Sequence, residues 1–110
     1  MGEILQIRVS AETFTPEAAR KRWPVLFALA DPENRIQKLS ALVDRLHDLV
    51  RFGDIRPEHR QALETGLEPA LAARMELAQQ LAQRQPAKAD ATSYILEDRL
   101  DDLEKIMPAL

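Results

Sequence analysis

The residues of this chain that could do chemistry are few. Two histidines are present. His47 stands between Asp44 and Asp48, three positions after one and one before the other. On a helix, Asp44 and His47 share a side, and an imidazole beside a carboxylate can hold a divalent ion or move a proton. No third ligand stands at a spacing that would complete a metal site, so the plainer reading is a boundary histidine making an ordinary hydrogen bond. His59 follows Glu58 at the start of another helical pattern and is less specific still. The residue three before His47 is Asp44, and the residue three before His59 is Arg56. The Glu-x-x-His pair of di-metal bundles is therefore absent.

No His-Glu-x-x-His, Gly-x-Ser-x-Gly or phosphate-loop pattern occurs, and three glycines are too few for a glycine-rich phosphate cradle. Ser10, Ser40 and Ser93 have no base near them in sequence. The pair Asp101 and Asp102 sits in an acidic run and reads as solvated surface. The chain has no cysteine, which excludes disulfides, thiolate metal ligation and a cysteine nucleophile. No catalytic, cofactor-binding or metal-binding residue is expected, and the chain reads as non-enzymatic.

The residues that could contact a partner are Gln6, Arg8, Ser10 and Trp23. Trp23 is the single tryptophan. It is core filler or, alternatively, an interface anchor, since tryptophan is enriched at binding hot spots. Gln6, Arg8 and Ser10 are the polar positions of an alternating segment, with Leu5, Ile7, Val9 and Ala11 between them. That alternation predicts a β-strand over residues 3–11. Strand backbone needs a partner, and no second convincing strand follows. Pairing with the same strand of a second copy is the expected solution, which makes a homodimer.

Helices must position everything else. The segment 31–53 organises the pattern. Asp31 is placed to cap, Pro32 to occupy the first helical position, and Gly53 to end the helix in a left-handed conformation. Ile36, Leu39, Val43, Leu46 and Val50 form its apolar stripe, widened by Leu42 and Leu49. Before it, Thr15-Pro16-Glu17 opens a helix that Pro24 interrupts, giving short helices at 16–22 and 24–30. After it, a helix from Pro57 to about Thr65 is followed by a second over 67–84, because Gly66 and Pro69 disturb the run. Residues 85–90 read as a linker and 91–107 as a C-terminal helix, with Leu96, Leu100, Leu103 and Met107 on its seam. The fold class is mainly α, a four- to five-helix bundle-like single domain with one N-terminal strand and a helical core over 16–84.

Composition agrees. The chain has 110 residues, 45% hydrophobic and 5% aromatic, with a net charge of −3. That balance gives no general attraction to nucleic acid or to an anionic membrane, which disfavours DNA as a partner. No apolar run approaches the length of a membrane span. The lack of cysteine and of an apolar leader favours the cytoplasm. Charge is graded: Arg8, Arg20, Lys21 and Arg22 face three acids in residues 1–30, whereas six acids face three cations in residues 86–110. The cluster Arg20-Lys21-Arg22 suits the C-terminal end of a short helix.

The order IRVSAETF, TPEAARKRW and then a helix from Asp31 resembles the ribbon-helix-helix proteins over the first 50 residues. That resemblance implies a transcriptional regulator or antitoxin in which two N-terminal strands pair across a dimer. The outward Gln6, Arg8 and Ser10 would then read base edges in the major groove. Asp31 and Glu33 at the second helix start, and Pro24 inside the first, depart from that pattern. The first expectation is therefore a small helical interaction protein, a dimeric adaptor, assembly factor or subunit with a protein partner. The DNA-reading regulator is the alternative.

Overall fold

A computed structural model describes the backbone at residues 5–7 and 12–110, with side chains from Phe14 onward. The molecule is mainly helical and bundle-like, with principal extents of 40 × 24 × 21 Å. Five helices carry it: α1 (Pro16–Arg22), α2 (Pro24–Ala30), α3 (Leu39–Phe52), α4 (Pro57–Ala82) and α5 (Pro86–Ile106). The two short helices fall where two prolines, each at a first helical position, place them.

α4 and α5 form an antiparallel hairpin. Near its open end, Gly66 on α4 lies against Leu103 and Ile106 on α5, a spacing that leaves no room for a larger residue without movement. α3 packs on the other flank of α4, also antiparallel, and α1–α2 close over α5 and α3. The core runs through all five helices. Trp23, Leu26, Leu39, Leu42, Leu46, Leu63, Leu96, Leu100 and Leu103 are each fully buried.

Most of the strand expected over 3–11 lies outside the described residues. Of it, Leu5–Ile7 forms β1, which pairs antiparallel with β2 (Glu12–Phe14) of the same chain. Here the hydrogen-bonding partner comes from within the chain. β2 is three residues long, too short for alternation to reveal it in sequence. Phe14 stacks on Phe27 at 6.5 Å and fastens the end of β2 to α2.

The central helix is shorter than 31–53. It begins at Leu39, and residues 31–38 form a loop. Asp31 ends α2 instead of starting α3: its N–H bonds the Phe27 carbonyl at 2.7 Å. Its carboxylate accepts the N–H groups of Arg35 and Ile36, both at 2.8 Å, and a 2.6 Å bond from Arg20. A short acidic side chain that captures local backbone donors competes with helix formation. The second helix required by the ribbon-helix-helix resemblance therefore starts later than that pattern places it. Gly53 is not left-handed either, with φ −77° and ψ 155°. Its lack of a side chain serves close approach, since a Cβ there would lie 2.8 Å from the Leu49 backbone.

α4 is continuous where two helices were expected. Pro69 sits inside it and cannot bond the Thr65 carbonyl. That loss, about 3 kcal/mol in a helix interior, falls on the solvent side, where water can replace the bond. The buried row Leu63, Leu67, Ala70, Ala73 and Leu77 holds the helix together across it. The expected linker at 85–90 is also helical, since α5 starts at Pro86. The turn lies just before it. Gln85 N–H bonds the Gln80 carbonyl at 2.9 Å and Arg84 N–H the Leu81 carbonyl at 3.1 Å, with Arg84 at φ 55°. This is a Schellman ending with arginine where glycine is usual.

Candidate functional site

The expected partner-binding residues are scattered. Gln6 lies in β1 with only its backbone described, and Arg8 and Ser10 lie outside the described residues. Trp23 is 0% exposed, and its indole N–H donates to Asp101 Oδ1 at 2.8 Å. In this chain the indole is core and is closed to a partner while the helices stay packed.

Trp23 belongs to a charged junction between α1–α2 and α5. Arg22 forks onto Asp101, with Nε to Oδ1 at 2.8 Å and Nη2 to Oδ2 at 2.7 Å. Its Nη1 donates to Glu97 Oε1 at 2.8 Å, and Glu97 is only 2% exposed. Glu104 accepts the N–H groups of Val25 and Leu26 at 3.1 and 3.0 Å, so a side chain of α5 caps the start of α2. The hydrogen bonds that Arg22 donates to Asp101 raise the Arg22 pKa above its already high usual value. The Asp101 carboxyl is held below the ordinary range, first by the Arg22 hydrogen bond. Glu97, Asp101 and Glu104 recur at 4-3 spacing, so α5 has an acidic stripe beside its apolar one. In sequence those acids read as outer surface. The signal that could have found them is this periodicity, with Arg22 and Trp23 ready to receive it. The junction fastens helices, as its donors and acceptors face one another.

The histidines part company. His59 is buried, and Nε2–H donates to the Pro108 carbonyl at 3.1 Å, holding the chain beyond α5 against α4. His47 is half-buried, while Asp44 turns to Arg74 at 2.9 Å. The Asp44–His47 ion site considered from spacing therefore has its carboxylate paired elsewhere. Among the described residues, no group of three or more His, Cys, Asp or Glu is placed to hold a metal ion. Ser93 makes a local helical bond to the Asp90 carbonyl at 2.5 Å.

His47 lines a groove of about 320 Å³ between α3 and α4. Its other lining residues are Val50 from α3 and Leu63, Glu64, Leu67, Glu68 and Leu71 from α4. The row Leu63, Leu67, Leu71 continues at the same spacing to Met75, which is 61% exposed. The row spans about 18 Å at 1.5 Å per residue. Leu63 and Leu67 are buried, and only half-buried Leu71 and exposed Met75 present apolar surface along this row.

Arg60 shows why the groove keeps its acidic edge. Its guanidinium turns to the C-terminal carbonyls of α3, bonding those of Val50 and, at 2.6 Å, Gly53. Arg74 turns to Asp44. Neither arginine neutralises Glu64 or Glu68, and neither glutamate has an ion-pair partner among the described residues.

No helix among the described residues is long and apolar enough to cross a membrane. Compared with known proteins, the chain matches no family model, no curated protein and no solved structure.

Proposed function

We propose that this chain is a small non-enzymatic helical interaction protein, a dimeric adaptor, assembly factor or subunit acting in the cytoplasm. The observation that supports this reading most is the α3–α4 groove. Half-buried Val50 and Leu71 line it, Met75 stands exposed one turn beyond Leu71, and exposed Glu64 and Glu68 form its edge. Apolar surface rimmed by polar residues is the usual mark of a docking site. Methionine suits such surfaces because its side chain adapts to what it meets. Exposed Ile95 and Ile106 on α5 add further apolar surface away from the core.

The test is a tagged pull-down from native lysate, with nuclease present, comparing the wild type with Met75→Glu. A stoichiometric protein partner captured by the wild type and lost from the variant is the expected result. The same capture by both proteins would remove the groove from the reading. Capture that depends on nucleic acid would favour the DNA-reading alternative. The dimer has its own test. Deleting residues 1–11, which removes β1, should lower the molar mass in solution from two copies to one, and an unchanged mass would remove the N-terminal segment from the dimer reading.

A further inference from the structure

Ile95 stands at the middle of a line of exposed residues along α5. We infer that a second copy of the chain docks on this line, antiparallel to the first, with Ile95 meeting Ile95 at a two-fold axis. The inference rests on the dimer in the reading above and gives that dimer its contact.

The line is Lys88, Ala91, Ile95, Asp98 and Asp102, at 3-4-3-4 spacing, and every member is exposed. That spacing is the seam by which one helix meets another. The rest of α5 is committed within the chain. Ala89, Leu96, Leu100 and Leu103 are buried in the core, while Glu97 and Asp101 hold Arg22 and Glu104 caps α2. At the middle of the seam Ile95 is 49% exposed, next to Tyr94 at 43%.

Charge selects the occupant. Lys88 and Asp102 stand seven residues to either side of Ile95. Each is about 10 Å from it along the helix, in opposite directions. Antiparallel packing about Ile95 brings Lys88 of one copy level with Asp102 of the other, twice, with Asp98 one turn away. Parallel packing would set lysine on lysine and aspartate on aspartate. Neither Lys88 nor Asp98 has an ion pair among the described residues. Asp102 has a loose one, 3.4 Å from Arg99. On the α4 side, exposed Gln79 and Gln83 line a groove with Lys88, Ala91 and Ile95. Each amide offers a donor and an acceptor, so it can pair with its counterpart across the axis. A surface whose two ends complement each other about its centre is what a two-fold contact requires. β1 also packs on α5, so removal of residues 1–11 acts on the helix that carries this seam.

A seam of about four turns lies at the small end of protein interfaces, below about 1,200 Å². The dimer is therefore weak, and sedimentation over a concentration series is the measurement. The mass should rise from one copy towards two. Lys88→Asp and Asp102→Lys should each weaken the association about tenfold, and the two together should restore it. Both positions are exposed, and unchanged circular dichroism will show that the variants fold. The lack of native cysteine allows a second readout. On mild oxidation Ile95→Cys should cross-link into a disulfide dimer faster than Ala28→Cys, whose thiol would stand exposed on α2.

A single copy at every concentration would overturn this inference and the dimer reading together. A dimer indifferent to both charge reversals, with no preference for cross-linking at position 95, would overturn the seam and leave the dimer reading standing. Reversals that weaken the dimer without rescue in the double variant would overturn the antiparallel register.

Discussion

Arg22 is the side chain on which the junction depends. It answers two carboxylates at once, and one of them, Glu97, is nearly inaccessible to water. Arg22→Ala removes the guanidinium that Glu97 and Asp101 share and should cost about 3 kcal/mol of unfolding free energy. Arg22→Lys should recover only part of this, since an ammonium cannot fork onto Asp101 and still reach Glu97. Denaturant unfolding followed by Trp23 fluorescence reads both. Acid should act on the same contacts. Burial pushes the Asp31 carboxyl up, but Arg20 and the N–H groups of Arg35 and Ile36 outweigh it and hold the group low. Asp101 is held low as well, by Arg22. Carboxyls that ionise more readily in the folded chain than in the unfolded one contribute stability that is complete above the unfolded value, about 3.9 for aspartate. That contribution is lost as pH falls through the lower folded values. Between pH 7 and pH 3 the urea midpoint should therefore fall, and Asp31→Asn or Asp101→Asn should make the fall shallower.

Among the elements, legibility in the sequence followed how local the deciding interaction was. The bounds of α1 and α2 were readable because Pro16 and Pro24 each set a first helical turn by their own geometry. The start of α3 was not readable. Asp31 does take up backbone N–H groups as a cap would, but those of Arg35 and Ile36 in a loop, with Arg20, eleven residues earlier, on the same carboxylate. α4 was misread for a similar reason: Pro69 breaks a helix only where the lost bond cannot be replaced, and its outward position is a tertiary fact. The candidate groove was half legible. The leucine row stands in the sequence, but the engagement of Arg60 and Arg74 elsewhere does not. The α4–α5 turn yields a prediction at this scale. Arg84 holds a left-handed conformation that costs a non-glycine residue about 1 kcal/mol. Arg84→Gly should raise the unfolding free energy by up to that amount, checked by thermal and urea denaturation. A decrease would mean that the arginine side chain contributes more than its backbone costs.

At the scale of the whole molecule, the bundle joins near neighbours by helix packing and distant ones by charge. α4 pairs with α5 through a three-residue turn, 83–85, and with α3 through Arg60 and Arg74. The N-terminal pair α1–α2 reaches α5 across a separation of 79 residues between Arg22 and Asp101. Removing the Glu104 cap should loosen that distant attachment first. Glu104→Gln should speed amide hydrogen exchange at Val25 and Leu26 by about tenfold, leaving the α4–α5 amides near their wild-type rates. Uniform acceleration throughout the chain would show instead that the bundle opens as one unit.

That separation also has a consequence for biosynthesis. The ribosome releases residues 16–30 well before it has made residues 97–104. Trp23, Leu26 and Phe27 therefore leave the exit tunnel as an apolar segment whose lasting cover has not yet been translated. Contacts closed over so long a stretch of chain form late. Until α5 emerges, the contacts of Arg22 and Trp23 with Asp101 are unmade, and a chain stalled before Glu97 would keep them so.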